Sequence, residues 1–336
     1  MQGVPALYCL SESESIGSAI ATHANLPLSP LEERRFESGE FKLRPLESAR
    51  GRPAWVVQTL AASAAVPTAE RLVRLLFLLF GLKDAGAASL TAVVPYLAYA
   101  RKERRTQLRD PVNTRYVAQL LEVAGLSRLV ALDVHNPAAL DNAFRVPVDH
   151  LSAMPMFAQH FARRWSDAEM TVVSPDPGGI KRAQIFRELL QRELGRETDI
   201  AFIEKRRARG VLTTGALCGA VAGRHVVVID DLCASGATLC HAAELGVRAG
   251  ARRVDVAVTH TPTLDGLLAV MASPNIAHVA VTDSVGLPRE TLAAIPGASG
   301  RLDVLSIAPL FGLAIRRILD GKPMAPLLER WPVEDR

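Results

Sequence analysis

Apolar residues gather along this chain in two kinds of run. The first kind is short and continuous: Ala54–Leu60, Ala88–Val94, Arg128–Val134, Met170–Ser174, Ile200–Glu204, His225–Asp230, Arg253–Val258 and His278–Asp283. Runs of that length without alternation predict strands covered on both faces, as in a parallel sheet. The second kind has helical spacing. Leu72, Leu75, Leu76, Leu79 and Leu82 form one stripe, at i, i+3, i+4, i+7 and i+10. Tyr116, Leu120, Val123 and Ala124 predict a second stripe, and Ile180, Ala183, Phe186 and Leu190 a third. Strand–helix alternation over the whole length predicts an α/β fold with right-handed crossovers.

A chain of 336 residues is too long for one ordinary core. The layout is also roughly duplicated. One strand ends in Asp133-Val134-His135 and a later one in Asp230-Asp231, each after a helix and a strand. The expected organisation is two similar domains, 1–150 and 151–320, each a mainly parallel sheet flanked by helices. A tail covers 321–336, and the last helix returns to the N-terminal domain. Ligands of such sheets sit at the carboxyl ends of strands, where both acidic pairs fall.

Composition narrows the class of function. With 49% hydrophobic and 22% charged residues the chain is globular, which excludes a disordered or fibrous protein. The net charge of +4 suits an anionic substrate as well as nucleic acid. The basic runs Arg101–Arg105 and Lys205–Arg209 lack interleaved aromatics apart from Tyr96 and Tyr99, so no nucleic-acid role is expected. The four cysteines show neither zinc spacing nor a disulfide framework, which points to a reducing compartment. The N-terminal residues lack the pattern of a secretory signal. Leu72–Leu82 carries Arg74 and is too short to span a bilayer. The expectation is a cytoplasmic protein with no membrane partner.

The most informative segment is His225–Ala251. An apolar strand ends in Asp230 and Asp231, a loop of small residues follows (Ala234, Ser235, Gly236, Ala237, Thr238), and a helix begins. Small residues let backbone N–H groups approach an anion, and the helix N-terminus adds positive potential. The hydroxyls of Ser235 and Thr238 add donors. Carboxylates before such a loop suit sugar hydroxyls or a divalent ion. A 5-phosphoribosyl group presents that combination; the plainer reading is an acidic strand end before a capped helix.

This segment resembles the ribose-phosphate loop of the type I phosphoribosyltransferase fold. Five further blocks resemble, in order, those of the ribose-phosphate diphosphokinase (PRPP synthase) family: FESGE at 36–40, PYLAYARKERR at 95–105, LDVHNPAALDNAF at 132–144, SPDPGGIKRA at 174–183 and EKRRARG at 204–210. The resemblance implies an enzyme that transfers the β,γ-diphosphoryl group of ATP to the 1-hydroxyl of ribose 5-phosphate, with Mg²⁺. It implies Mg²⁺ ligation by His135 and Asp176, with Asp133 in support. It implies Lys205 and Arg207 as the catalytic basic pair, Arg207 also reaching ribose 5-phosphate. Asp230, Asp231 and Ala234 to Thr238 would bind ribose 5-phosphate. Arg101 and Lys102 would bind ATP, with Glu103–Asp110 as a mobile lid. Ser38, Gly39 and Glu40 would touch adenine from a neighbouring subunit, which implies a homo-oligomer, a hexamer being favoured.

Four positions depart from the family's usual residues: Ser38 for Asp, Lys102 for an amide, Ala234 for Asp and Ala237 for Gly. Ala237 is tolerable with a negative φ and harmful with a positive one. These departures leave a second reading, a non-catalytic regulatory subunit. A third, a transferase that uses PRPP with a base, is opposed by the duplicated layout and the 95–105 block.

Overall fold

A computed structural model describes residues 4–208 and 211–331, without the side chains of residues 205–208, 211–214 and 289. The chain forms two units. The first comprises the chain up to Leu151 with Ser284–Gly286 and Ile307–Met324; the second comprises Ser152–Asp283, Leu287–Ser306 and the chain from Ala325.

In the first unit the elements run β1 (Ala6–Cys9), α1 (Glu14–Ala24), β2 (Leu31–Arg35), β3 (Phe41–Pro45), β4 (Pro53–Val57) and α2 (Thr68–Asp84). There follow β5 (Ser89–Val94), α3 (Asn113–Val123), β6 (Arg128–Leu132), α4 (Pro137–Ala143) and β7 (Val148–Leu151). Strands β1-β4-β5-β6-β7 form a five-stranded sheet, parallel at every pairing. All five residues of β4 are buried, as a continuous apolar run demands of an inner strand. The Leu72–Leu82 stripe of α2 lies in the core with this sheet.

The expected stripe of α3 is corrected. Tyr116, Leu120 and Val123 are exposed, and the buried face carries Thr114, Val117, Ala118 and Leu121, with Ala124 buried just beyond the helix. The core face of this helix is built of smaller side chains than its outer face, so the bulkiest residues mark the wrong side.

Strands β2 and β3 make a separate antiparallel hairpin. Arg74 of α2 fastens it. Its side chain is only 7% exposed, its Nε lies 2.9 Å from Glu12 Oε1, and it also pairs with Glu33 of β2. The guanidinium stands 5.3 Å from the ring of Phe41 on β3. A buried charge needs such partners.

The second unit begins with α5 (Met154–Arg164), β8 (Met170–Ser174), α6 (Ile180–Leu194), β9 (Asp199–Ala208) and β10 (Val211–Cys218). It continues through β11 (His225–Leu232), α7 (Ala237–Arg248), β12 (Arg253–His260), α8 (Leu264–Ala272), β13 (His278–Thr282), α9 (Arg289–Ala293) and β14 (Leu302–Leu305). Its seven strands are ordered β10-β9-β8-β11-β12-β13-β14, and only β9–β10 is antiparallel. The expected α/β class, with mainly parallel sheets flanked by helices, is the observed one.

Two helices end the chain, α10 (Ala308–Leu319) in the first unit and α11 (Ala325–Glu329) in the second. Leu310, Phe311, Ala314 and Ile315 of α10 are buried. The helix packs so closely on α1 that a Cβ on Gly312 would stand 2.4 Å from His23 Cβ and 2.6 Å from its carbonyl carbon. Thr59 Oγ1 donates to Ser284 O at 2.7 Å, tying the short 284–286 excursion to the same unit.

Candidate active site

Strand order in the second sheet reverses direction between β8 and β11: β9 and β10 lie to one side, β12 to β14 to the other. Such a switch point opens a crevice at the carboxyl ends of the two strands. Asp176 follows β8, and Asp230 and Asp231 end β11.

Asp230 and Asp231 share one cation. Arg182 of α6 places Nη1 2.9 Å from Asp230 Oδ1 and Nη2 3.0 Å from Asp231 Oδ1. Asp230 Oδ1 also accepts from the Asp231 backbone N–H at 2.9 Å. Burial, reinforced by the adjacent Asp231, pushes the Asp230 carboxyl up to about 8, while Arg182 pulls it down. An arriving cation would favour the ionised form of this pair.

The loop after them is shaped by close approach. Gly236 has φ +75, and a Cβ there would meet Gly266 O at 2.7 Å. Only glycine fits both conditions. Thr263 Oγ1 donates to Ala234 O, and Cys233 N donates to His260 O at 2.8 Å, so the loop is pinned from the β12–α8 side. Ala237 opens α7 and is absent from the residues with positive φ, so its methyl group is accommodated. Ser235 and Thr238 are exposed at the N-terminal end of this twelve-residue helix, where Ala237 N donates to Ser235 Oγ at 3.5 Å.

Asp176 caps a short 3₁₀ turn (Pro177–Gly179): its Oδ1 accepts from Gly179 N at 3.1 Å, and Ser174 Oγ donates to its carbonyl at 2.7 Å. The backbone of Lys205 and Arg207 lies in β9, and Arg207 is in register with Leu212 of β10. The two residues lie two apart on this strand. Their side chains fall outside the described residues.

In the first unit His135 is exposed just beyond β6, where Asp133 is buried with φ +36. A non-glycine residue held there is strained, and strain of this kind collects at functional sites. Asn136 then caps α4, accepting from Ala139 N at 3.1 Å.

Arg101 is exposed after β5. Lys102 instead pairs with Asp110 and donates to Thr106 Oγ1 at 2.9 Å. Asp110 also accepts from Thr106 N at 3.0 Å and Gln107 N at 2.9 Å. These bonds, the Lys102 contact foremost, hold its carboxyl well below the usual range. The expected lid is thus folded around one carboxylate. Ser38, Gly39 and Glu40 form the exposed β2–β3 turn, closed by Phe36 N to Glu40 O at 2.8 Å, with Ser38 Oγ donating to Glu40 Oε2 at 2.8 Å.

Residues 6–125 match the family model of the N-terminal domain of ribose phosphate pyrophosphokinase, and residues 153–266 that of the phosphoribosyl transferase domain. Ribose-phosphate pyrophosphokinase 1 of Streptococcus pneumoniae serotype 4 is 35% identical over 332 residues, covering 96% of each chain. The chain belongs to the ribose-phosphate pyrophosphokinase family. The same-named protein of Streptococcus agalactiae serotype III is 34% identical over 328 residues, covering 96% of each chain. The crystal structure of phosphoribosylpyrophosphate synthetase from Mycobacterium smegmatis superimposes with a TM-score of 0.84 at 30% identity, covering 94% of this chain and 99% of that one.

Within this ribose-phosphate pyrophosphokinase fold, one residue that sequence reasoning left without a role stands out. Arg182 lies inside the SPDPGGIKRA block, yet its function depends on α6 facing the end of β11. A basic residue a few positions after a strand-end carboxylate was the available signal. In the second unit Arg182, Asp230 and Asp231 come together at the end of β11, directly ahead of the 234–238 loop.

Proposed function

We propose that this chain transfers the β,γ-diphosphoryl group of ATP to ribose 5-phosphate, giving PRPP and AMP. The observation that carries the reading is the Arg182–Asp230–Asp231 cluster leading into a glycine-built loop at a helix N-terminus, at the switch point of the second sheet. Exposed Ser235 and Thr238, with the first N–H groups of α7, hold the 5-phosphate. Asp230 and Asp231 take the sugar hydroxyls. The bond formed joins the ribose 1-oxygen to the β-phosphorus; the bond broken joins that phosphorus to the oxygen that leaves with AMP; the hydroxyl proton is released.

His135 and Asp176 are the residues we assign to Mg²⁺. His135, beyond β6 of the first unit, offers an exposed imidazole, and Asp176, beyond β8 of the second, a half-buried carboxylate, each a donor that Mg²⁺ can use beside water and phosphate. When bound, Mg²⁺ neutralises charge on the phosphates. Lys205 and Arg207 stabilise the diphosphoryl group in transfer. Arg101 binds ATP; Lys102 joins it once its pair with Asp110 opens. The Ser38–Glu40 turn contacts adenine of a neighbouring subunit in a homo-oligomer, a hexamer in our reading. The exposed apolar residues Tyr116, Leu120 and Val123 of α3 support self-association. Among the described residues no helix is long and apolar enough to cross a membrane. All four cysteines are free, which supports a cytoplasmic location and nucleotide biosynthesis there.

The test is AMP release by the purified chain with ATP, Mg²⁺ and ribose 5-phosphate. Ribose-dependent AMP is expected, and Lys205→Ala lowers its rate by about 10²–10³, as loss of one such donor does. A folded wild-type protein that releases none refutes the proposal and leaves the regulatory reading.

A further inference from the structure

Three side chains of the second unit converge far along the sheet from the Asp230 loop. His278 is the first residue of β13 and Asp303 the second of β14, so both sit at the amino ends of parallel strands whose carboxyl ends face the other way. His160 reaches them from α5. We propose that His160, His278 and Asp303 bind a divalent cation of the zinc class, independently of the Mg²⁺ chemistry assigned above.

The geometry is close to what such an ion needs. One ligand atom from each residue lies within 4.8 Å of the others. His160 Nε2 is 3.3 Å and His278 Nε2 2.9 Å from the same oxygen, Asp303 Oδ2. A tetrahedral ion with bonds of about 2.0–2.1 Å sets its ligands about 3.3 Å apart. Both imidazole–carboxylate distances lie within a few tenths of an ångström of that spacing. The frame is rigid: His278 is 0% exposed, and the two imidazoles stack with centroids 5.7 Å apart at 19°.

Hydrogen bonding alone leaves this cluster unsatisfied. His278 Nε2 bonds to Asp303, but His160 Nε2 and His278 Nδ1 are buried without a hydrogen-bond partner. Buried polar atoms in that state call for an unseen partner. A cation satisfies His160 Nε2 directly. Two imidazoles and one carboxylate select Zn²⁺, Co²⁺, Ni²⁺ or Cu²⁺ over the hard, oxygen-seeking Mg²⁺. Arg164 Nη1, 3.5 Å from Asp303 Oδ2, is a competitor for the carboxylate and must withdraw. Three protein ligands leave the fourth position to water.

Co²⁺ is the probe, added to the chelator-treated full chain and followed by visible ligand-field absorption. One four-coordinate Co²⁺ per chain is expected, displaced by Zn²⁺ and retained in excess Mg²⁺. His160→Gln, at a partly exposed helix position, weakens it by more than about 100-fold, beyond the loss usual for supporting groups. His278→Gln does the same where it folds. Arg164→Gln tightens binding, and His135→Gln leaves it intact. No four-coordinate signal in the wild type, or an undiminished one in folded His160→Gln, overturns the proposal.

Discussion

Replacing Arg182 by Met removes a guanidinium that grips two adjacent carboxylates while keeping an apolar stem of similar length. Each hydrogen bond to a charged group contributes about 1.5–3 kcal/mol. The side chains retain 17% exposure at Arg182, 19% at Asp230 and 7% at Asp231, so water recovers part of that loss. The expected cost is about 2–4 kcal/mol in urea unfolding of the whole chain. Its pH dependence is the sharper test. The Asp230 carboxyl is raised in the folded state to about 8. A raised carboxyl stabilises fully below the unfolded value of about 4, and that contribution is lost as pH rises to the folded value. Without Arg182 the folded value climbs further. The cost of Arg182→Met is then flat from pH 5 to 7 and larger at pH 9, by about 1 kcal/mol or more, since each tenfold change in proton affinity is worth about 1.4 kcal/mol. Asp230→Asn in the same background abolishes the pH-dependent part. A cost under about 0.5 kcal/mol, typical of surface changes, or the same cost at pH 6 and pH 9, refutes the argument.

Gly236→Ala combines a left-handed backbone cost of about 1–2 kcal/mol with a collision against Gly266 O, so ribose 5-phosphate affinity by calorimetry falls at least about tenfold. Gly312→Ala drives α10 against the backbone of His23 and lowers stability by about 1–3 kcal/mol in thermal unfolding. Asp110→Asn weakens the turn that holds Lys102, and limited proteolysis within residues 101–110 is expected to accelerate while global stability stays unchanged.

The inner strands were legible because burial on both faces leaves an unbroken apolar run, as in Pro53–Val57 and His278–Thr282. The hairpin at 31–45 was not, since its residues are half-exposed and mostly charged and depend on Arg74 for anchorage. The α3 face was misread because Thr114 and Ala118 pack inward while Tyr116 and Leu120 face out. The 234–238 loop was readable from small residues before a helix. Arg182 and the His160–His278–Asp303 cluster were not, because each joins residues far apart in sequence whose meeting depends on helix placement.

The pairing of α1 with α10 has a consequence for synthesis. Roughly 280 residues separate Ala24 from Ala308. At about 5–20 residues per second a ribosome takes on the order of 15–60 s to cover that stretch. Through that interval the nascent first unit lacks the helix that buries Phe311 and Ile315 beside α1. Its last layer arrives only after the entire second sheet has left the ribosome. A truncation before Ala308 therefore leaves an early-made sheet with an uncovered helix, a natural substrate for chaperones and proteases.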